Sequence, residues 1–257
     1  MALTKTLRFS EEVLNILRSM DWQDNGILGI LTCGQLDRKL YSDVNKALSS
    51  MGGKWNRKLG GHIFKIDPRN QVEGLLSSGK LTVEKDGFFE TPLEVIKRMV
   101  DLVPPTNNSF VLEPSAGLGA IAKYLCNYYN EEYMYLLEKN IERANHLKEY
   151  FANSVVMCTD FLAFGIDIDF KRIYMNPPFE QLQDIDHVQH AYKILSNNGI
   201  MVSVMAESAF FRTNKKSTQF REWLSSVNAH IEKLPENSFK KSGTMVNTRL
   251  ISIHKKE

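Results

Sequence analysis

The sequence predicts an α/β protein: a doubly wound, mostly parallel sheet of seven strands, preceded by a small N-terminal α+β region. Three observations carry this. From about residue 88 onward, short apolar runs (SFVLEP, YMYLLEK, VVMC, KRIYM, IMVSVM) alternate with amphipathic helical segments, the order expected of a parallel sheet with helices on both faces. Residues able to do chemistry recur just after these runs, at the strand ends where such sheets bind ligands. The composition, 43% hydrophobic and 24% charged over 257 residues, is that of an ordinary globular chain.

Composition also bounds the function classes. A net charge of +2 gives no general argument for a nucleic-acid partner. No apolar run approaches the roughly 20 residues that span a bilayer. The N-terminus, MALTKTLRFSEEV, lacks the apolar centre of a secretion signal. A cytoplasmic protein with no membrane partner is expected. Cys33, Cys126 and Cys158 are odd in number and far apart, so reduced, mostly buried thiols and no metal site are expected. The length suits a small region, residues 1–85, ahead of one domain of ordinary size, residues 86–257.

In the first region, Ser10 reads as a helix N-cap, with Glu11 and Glu12 at the favourable end of the helix dipole and Phe9 and Leu14 as a hydrophobic staple. A second helix is predicted from about Asp37 to Ser50. Leu36, Leu40, Val44, Ala47, Leu48 and Met51 make its apolar face, and Gly52-Gly53 ends it. Gly60-Gly61 then turns a hairpin within KWNRKLGGHIFKID. Over residues 37–69, eight Lys and Arg stand against three Asp and Glu, and Lys54, Arg57 and Lys58 surround Trp55. Two readings of this hairpin stand: a winged nucleic-acid-binding module, or a solvated hairpin packed on the main domain through Trp55, Ile63 and Phe64. Residues 70–87, with Gly74, Ser77, Ser78 and Gly79, read as connecting structure.

The main domain opens with Phe-Phe-Glu-Thr-Pro at 88–92, leading into LEVIKRMVDLV, an amphipathic helix with Pro92 in its first turn and Pro104-Pro105 beyond its end. SFVLEP is the first strand, followed by SAGLG and a helix over about 120–129. Strand YMYLLEK, helix NIERANHLKEYF, strand VVMC and an acidic turn at Asp160 come next. KRIYM, a helix around HVQHAYKILS and strand IMVSVM complete the alternation. NAHIEKLPENSF and NTRLISIHK are predicted as a terminal antiparallel pair.

The stretch after KRIYM, Asn176-Pro177-Pro178-Phe179, carries the most specific chemistry. Asn176 presents a side-chain carbonyl, Pro177 a backbone carbonyl beside a residue that has no N–H, and Phe179 an aromatic face. Two acceptors and a ring suit a planar amino group on a heterocycle. Drawing both hydrogens off-plane would free the nitrogen lone pair for attack on an electrophile, with no general base needed beforehand. A plain strand-ending turn is the alternative reading, since Asn and Pro favour turns for local reasons.

The cofactor side is read from three strand ends. In LEPSAGLG, Gly117 and Gly119 would let the backbone approach a ligand, and the helix N-terminus favours an anionic group. Glu138 ends the second strand, 21 residues after Gly117, where an acid suits ribose hydroxyls. Asp160 ends the third and would accept from an adenine amino group, with Phe161 beside the ring. A third turn glycine and a phosphate-loop lysine are both missing, so a nucleoside cofactor without a pyrophosphate is implied.

Taken in order, FFETP, LEPSAGLG, Glu138, Asp160-Phe161 and NPPF resemble the motif series of class I S-adenosylmethionine-dependent methyltransferases, with their Rossmann-like sheet. The set is most similar to the gamma-type amino-methylating DNA methyltransferases, in particular the adenine-N6 enzymes and the modification subunits of restriction systems. The resemblance covers about residues 86–255. It implies S-adenosyl-L-methionine as cofactor, with Thr91-Pro92 at the methionine carboxylate. Glu113 and the Ser115, Ala116, Gly117 and Gly119 turn would hold the methionine moiety. Glu138 would take the ribose, and Asp160 and Phe161 the adenine. Asn176 and Pro177, braced by Pro178, would grip the target amino group, with Phe179 stacked on its base and Phe239, in ENSFKKSG, on the opposite face.

DNA is the partner that the resemblance implies first, with an RNA or protein substrate as alternatives. Arg212, Lys215, Lys216 and Arg221 form a basic loop that would meet phosphates, or else a solvated helix entry. The chain ends at Glu257, just past the last predicted strand, so site recognition is expected from the N-terminal region, from this loop or from a separate specificity subunit. His187 and His190 read as packing residues. Methylation of guanine in ribosomal RNA, or of a glutamine amide in protein, would also use Asn-Pro-Pro-aromatic; FFETP favours DNA adenine. A non-catalytic nucleic-acid-binding protein that keeps the fold is the rival of another class.

Overall fold

The computed structural model describes residues 3–85 and 89–256. Two compact units divide the chain, Met1–Asp86 and Gly87–Glu257.

In the first unit, β1 (Leu3–Arg8) is followed by α1 (Glu11–Arg18), β2 (Asp21–Gln23), β3 (Leu28–Ile30) and α2 (Arg38–Ser50), then by the hairpin β4 (Lys54–Asn56) and β5 (Gly61–Ile63), α3 (Arg69–Ser78) and β6 (Lys80–Lys85). Ser10 has extended backbone at the head of α1, but its side chain makes no capping bond. Asp37 does cap α2, accepting from the N–H groups of Lys39 and Leu40. β1 pairs with β6, and β2-β3-β5-β4 form a second antiparallel sheet. The hairpin loop is held by Asn56 Oδ1, which accepts from Lys58 and Leu59 N–H, and Gly60 supplies a φ of +65°. Phe64 is rooted in this unit's own core with Leu14, Leu17, Leu48 and Leu75, while Trp55 stays 48% exposed.

Residues 70–85 are not connecting structure: they form most of α3 and all of β6, and Val72, Leu75 and Leu81 are buried in the same core. The sequence hides this because Gly74 interrupts a short helix whose serines are satisfied locally, Ser77 and Ser78 both donating to the Gly74 carbonyl.

The second unit runs α4 (Leu93–Leu102), β7 (Phe110–Glu113), α5 (Ala120–Leu125), β8 (Met134–Glu138), α6 (Ile141–Tyr150), β9 (Val155–Cys158) and β10 (Phe170–Met175). It continues with α7 (Gln183–Ile194), β11 (Leu195–Ala206), α8 (Ser208–Phe211), α9 (Lys215–Ser226), β12 (His230–Lys233) and β13 (Thr248–His254). Seven strands form one sheet in the order β12-β13-β11-β10-β7-β8-β9. β9, β8, β7, β10 and β11 are mutually parallel, and β13 runs antiparallel between β11 and β12. The central strands are covered on both faces. Val111, Leu136, Tyr174 and Val202 enter one core, and their neighbours Leu112, Leu137, Ile173, Met175 and Met201 enter the other. That double burial is why these strands read as unbroken apolar runs.

Three local expectations change. Pro92 is the residue before α4, with extended backbone, rather than part of its first turn. α5 stops at Leu125 instead of reaching Tyr129: beyond it Asn127 N–H turns to the Tyr124 carbonyl and Tyr128 N–H to that of Leu125, and Asn127 Nδ2 also donates to Tyr124. The three free cysteines are not mostly buried: Cys126, just past α5, and Cys158, ending the edge strand β9, are exposed, and Cys33 is intermediate. Among the described residues, no helix is long and apolar enough to cross a membrane.

Candidate active site

The strand order reverses between β7 and β10: β7, β8 and β9 step one way across the sheet, and β10 and β11 the other. In open α/β sheets, ligands bind at such a switch point, beyond the carboxyl ends of the strands. The Pro114–Gly119 turn follows β7 and the Asn176 turn follows β10, so the two stand on adjacent strands.

The first turn is tied to β8. Ala116 N–H donates to the Leu137 carbonyl at 2.8 Å, and Gly117 N–H to Glu138 Oε2 at 2.9 Å. Gly119 has a φ of +76°, and a Cβ there would lie 2.6 Å from Phe151 Cε2 and 2.9 Å from Leu147 Cδ2. Its missing side chain makes room for α6 rather than for a ligand.

Glu113 ends β7 with 2% exposure, and among the described residues its Oε2 has no hydrogen-bond partner. Burial pushes its carboxyl well above the ordinary range. The Ala122 N–H opposes this, and nearby Glu138 adds to it. A buried acid with one open oxygen is suited to a cationic group, whose charge would offset the desolvation.

Glu138 is largely engaged within the protein. Besides Gly117 it accepts from Asn140 N–H at 2.8 Å and from Arg143 Nη2 at 2.9 Å. A carboxylate offers about four acceptor sites, so one remains for a ligand hydroxyl. Asp160 Oδ1 accepts from Leu162 N–H, and Oδ2 pairs with Lys139 Nζ at 2.7 Å. Burial works against its ionisation, but the Lys139 hydrogen bond, the Leu162 N–H and the Lys139 charge outweigh this and hold the carboxyl below its usual value. Phe161 is buried between His187 and His190, at centroid distances of 5.6 and 4.8 Å, so in this structure its ring offers core packing rather than an open face. The two histidines are held as packing residues, with His187 Nδ1 near the Gln183 carbonyl and His190 Nε2 near that of Phe164.

Asn176 is held by the segment ahead of α4. Its Nδ2 donates to the Phe89 carbonyl and to Thr91 Oγ1, each at 3.0 Å. A carbonyl can only accept, so the amide nitrogen must face Phe89, and among the described residues Oδ1 has no hydrogen-bond partner. Thr91 is therefore beside Asn176. Phe88, the first residue of the FFETP motif, lies outside the described residues. Pro177 is buried and Pro178 and Phe179 half-buried. Phe179 packs against the core that includes Tyr174, whose hydroxyl donates to the Val103 carbonyl.

Two left-handed non-glycine residues follow, Gln181 (φ +54°) and Leu182 (φ +58°). Such backbone costs roughly 1–2 kcal/mol per residue and needs support. Next to it, fully buried Asp184 accepts from Ile185 N–H at 3.1 Å and Ala206 N–H at 3.0 Å, joining α7 to the end of β11. Its carboxyl is pushed up to about 6 by burial, with the two N–H bonds and Lys216 acting against the rise. The sequence reading missed this residue; an acid at a helix start was its only signal.

The remaining predicted residues divide. Phe239 does not face a base: it is 0% exposed and belongs to a core of the sheet. The basic loop is mostly helix. Lys215 and Lys216 open α9, Lys216 pairs with Asp186 at 2.6 Å, and Arg221 Nη1 donates to the carbonyls of Ala209 and Arg212. Arg212 and Lys215 are exposed, and beside them lies Phe211, 66% exposed and overlooked in the sequence. Lys54, Trp55, Arg57 and Lys58 are exposed on the first unit's hairpin. Among the described residues, no group of His, Cys, Asp and Glu is arranged to hold a metal ion.

No family model matches the sequence. Over 93 residues, 33% of this chain and 33% of the relative, it is 30% identical to the ribosomal RNA small subunit methyltransferase A of Buchnera aphidicola subsp. Schizaphis graminum (strain Sg). A dimethyladenosine transferase structure from Plasmodium falciparum superposes with a TM-score of 0.51 at 10% identity, covering 65% of this chain and 63% of that one. The modification subunit of a putative type I restriction enzyme from Vibrio vulnificus YJ016 superposes with a TM-score of 0.54 at 17% identity, covering 94% of this chain and 60% of that one. The aligned part is thus a third of the curated relative and under two thirds of either structure. Sheet order, switch point and these likenesses agree on one conclusion: the chain has the Rossmann-like fold of class I S-adenosylmethionine-dependent methyltransferases.

Proposed function

We propose that this protein binds S-adenosylmethionine at the switch point and transfers its methyl group to the exocyclic amino nitrogen of a nucleic-acid base, N6 of adenine in DNA. The observation that carries the reading is the Asn176 amide, whose nitrogen is committed to Phe89 and Thr91 and whose Oδ1 is left to accept.

When bound, the cofactor supplies a methyl group made electrophilic by its sulfonium. Glu113 fits a cationic ligand through its open, buried Oε2. The Ser115–Gly119 turn would hold the methionine moiety, and Glu138 would offer its remaining acceptor site to a ribose hydroxyl. Asp160 would accept from the adenine amino group in exchange for its Lys139 partner. On the target side, Asn176 Oδ1 and the Pro177 carbonyl take the two amino hydrogens, and Phe179 stacks on the base. The nitrogen lone pair would thereby be freed for attack, and the same two oxygens would stabilise the charge that develops on nitrogen; the N–C bond would form as the sulfonium S–C bond breaks to leave a neutral thioether, and the surplus amino proton would pass to solvent. A base in a duplex must first be flipped out, at a few kcal/mol, and stacking on Phe179 offsets about 1–3 kcal/mol of that.

The likeness to a type I modification subunit supports DNA and a separate specificity subunit as partner. The Buchnera relative supports a second reading, an RNA base as acceptor. The test is transfer from labelled S-adenosylmethionine to unmethylated genomic DNA, total RNA and total protein, followed by nucleoside analysis. N6-methyladenine in DNA is expected. Label in RNA alone establishes the second reading, and label in neither nucleic acid rejects both.

A further inference from the structure

The loop between β12 and β13 carries a tie to the catalytic turn that none of the roles above uses. Ser242 Oγ donates to the Glu90 carbonyl at 2.6 Å, across 152 residues of sequence. Glu90 lies between Phe89 and Thr91, the two residues that hold the Asn176 amide nitrogen. The loop's other anchor is the buried ring of Phe239, in the same core that Phe89 and Phe179 pack against. Between these anchors the loop is folded on itself: Ser242 N–H donates to the Phe239 carbonyl at 2.9 Å, and Gly243 turns it with a φ of +98°. Its outer side differs in character. Lys240, Lys241, Met245 and Val246 are exposed, and Glu207 N–H donates to the Asn247 carbonyl at 2.9 Å, fastening the loop to the segment that carries exposed Phe211 and Arg212.

We infer that residues 239–246 form a jaw for the nucleic-acid strand beside the target base, and that Ser242 is a positioning residue linking this jaw to Asn176. The inference rests on the methyl-transfer reading above. Two ammonium groups and an unbranched apolar side chain, exposed on one short loop, suit a phosphate backbone with an unstacked base step next to it. On the inner side, the Ser242 hydroxyl fixes the Glu90 carbonyl, and so the two neighbouring acceptors that aim the Asn176 amide. A strand that seats the jaw also seats the acceptor that grips its base. The tie is invisible in sequence because its ends meet only in the folded chain.

The test compares wild type, Ser242→Ala, Ser242→Thr and the double variant Lys240→Ala/Lys241→Ala in steady-state transfer to unmethylated genomic DNA. One lost hydrogen bond corresponds to about a tenfold change in rate. Ser242→Ala is expected to lower kcat by about that factor with KM for both substrates nearly unchanged, and Ser242→Thr to restore most of it. The double lysine variant is expected to raise KM for DNA several-fold and to flatten its salt dependence. Wild-type kcat in Ser242→Ala, or a loss that Ser242→Thr shares, overturns the positioning role; an unchanged KM in the lysine variant overturns the jaw. Amide hydrogen exchange at Phe89, Glu90 and Thr91 needs no turnover: faster exchange in Ser242→Ala supports the tie and unchanged exchange removes it. A wild type that modifies no DNA counts against the proposed reaction and is read from that arm alone.

Discussion

Asn176 Nδ2 and Thr91 Oγ1 lie 3.0 Å apart, and this contact, with the Phe89 carbonyl, decides which end of the amide is free. Replacing Asn176 by Asp would set a carboxylate oxygen against the Phe89 carbonyl, two acceptors with no proton between them. Asn176→Asp is therefore expected to lose activity as completely as Asn176→Ala, despite keeping an oxygen at the position. Thr91→Val is expected to lower kcat about tenfold while leaving S-adenosylmethionine affinity nearly unchanged. If Thr91 instead serves mainly the methionine carboxylate, as the family resemblance implies, the loss will fall on cofactor affinity. Steady-state kinetics with calorimetric cofactor binding separates the two.

Glu113 supplies a pH dependence. Its carboxyl is raised by burial in the free protein, and a bound cation would lower it, so binding should release a proton. S-adenosylmethionine affinity is then expected to strengthen as pH rises toward the raised value and to level off above it. Glu113→Gln should bind more weakly and lose the slope. Calorimetry in buffers of different ionisation enthalpy measures the proton directly.

Asp184 makes a stability prediction with a definite sign. Its carboxyl moves from 3.8 to about 6 on folding, so the folded state holds the proton more tightly. The contribution is fully present below 3.8, is lost as pH rises through about 6, and amounts to roughly 3 kcal/mol at 1.36 kcal/mol per pKa unit. Asp184→Asn cannot ionise, and its denaturant midpoint should lack this decline across the same window.

Gly119 and Phe239 test the packing. Gly119→Ala places a Cβ 2.6 Å from Phe151 in a backbone of φ +76°. The conformation alone costs roughly 1–2 kcal/mol, and the clash adds to it. Phe239→Ala should cost about 3–5 kcal/mol, as a buried aromatic does. An exposed stacking ring would lose under about 0.5 kcal/mol. Denaturant unfolding of both variants gives the values.

What the sequence disclosed follows from range. Glu113, Glu138, Asp160 and Asn176 were legible because each closes an apolar run that a twice-covered strand must have, and turn residues follow immediately. The bounds of α2 were legible because its apolar residues recur at helical spacing between Asp37 and Gly52-Gly53. α3 and β6 were not, since their apolar residues are few and find their core partners on α1 and α2. Phe239 read as a ligand contact because an aromatic beside lysines looks the same in sequence whether its ring points in or out. The Asn176–Thr91 and Ser242–Glu90 bonds join positions 85 and 152 residues apart. No local pattern encodes such a pair.

The most direct measurement is label transfer from S-adenosylmethionine to unmethylated genomic DNA by wild type and Asn176→Ala, with cofactor affinity measured on both. The expected result is N6-methyladenine formed by wild type, its loss in the variant, and equal cofactor binding by the two proteins. Transfer by Asn176→Ala at the wild-type rate would contradict the role assigned to the amide, and a wild type that binds cofactor yet labels no nucleic acid would contradict the proposed reaction.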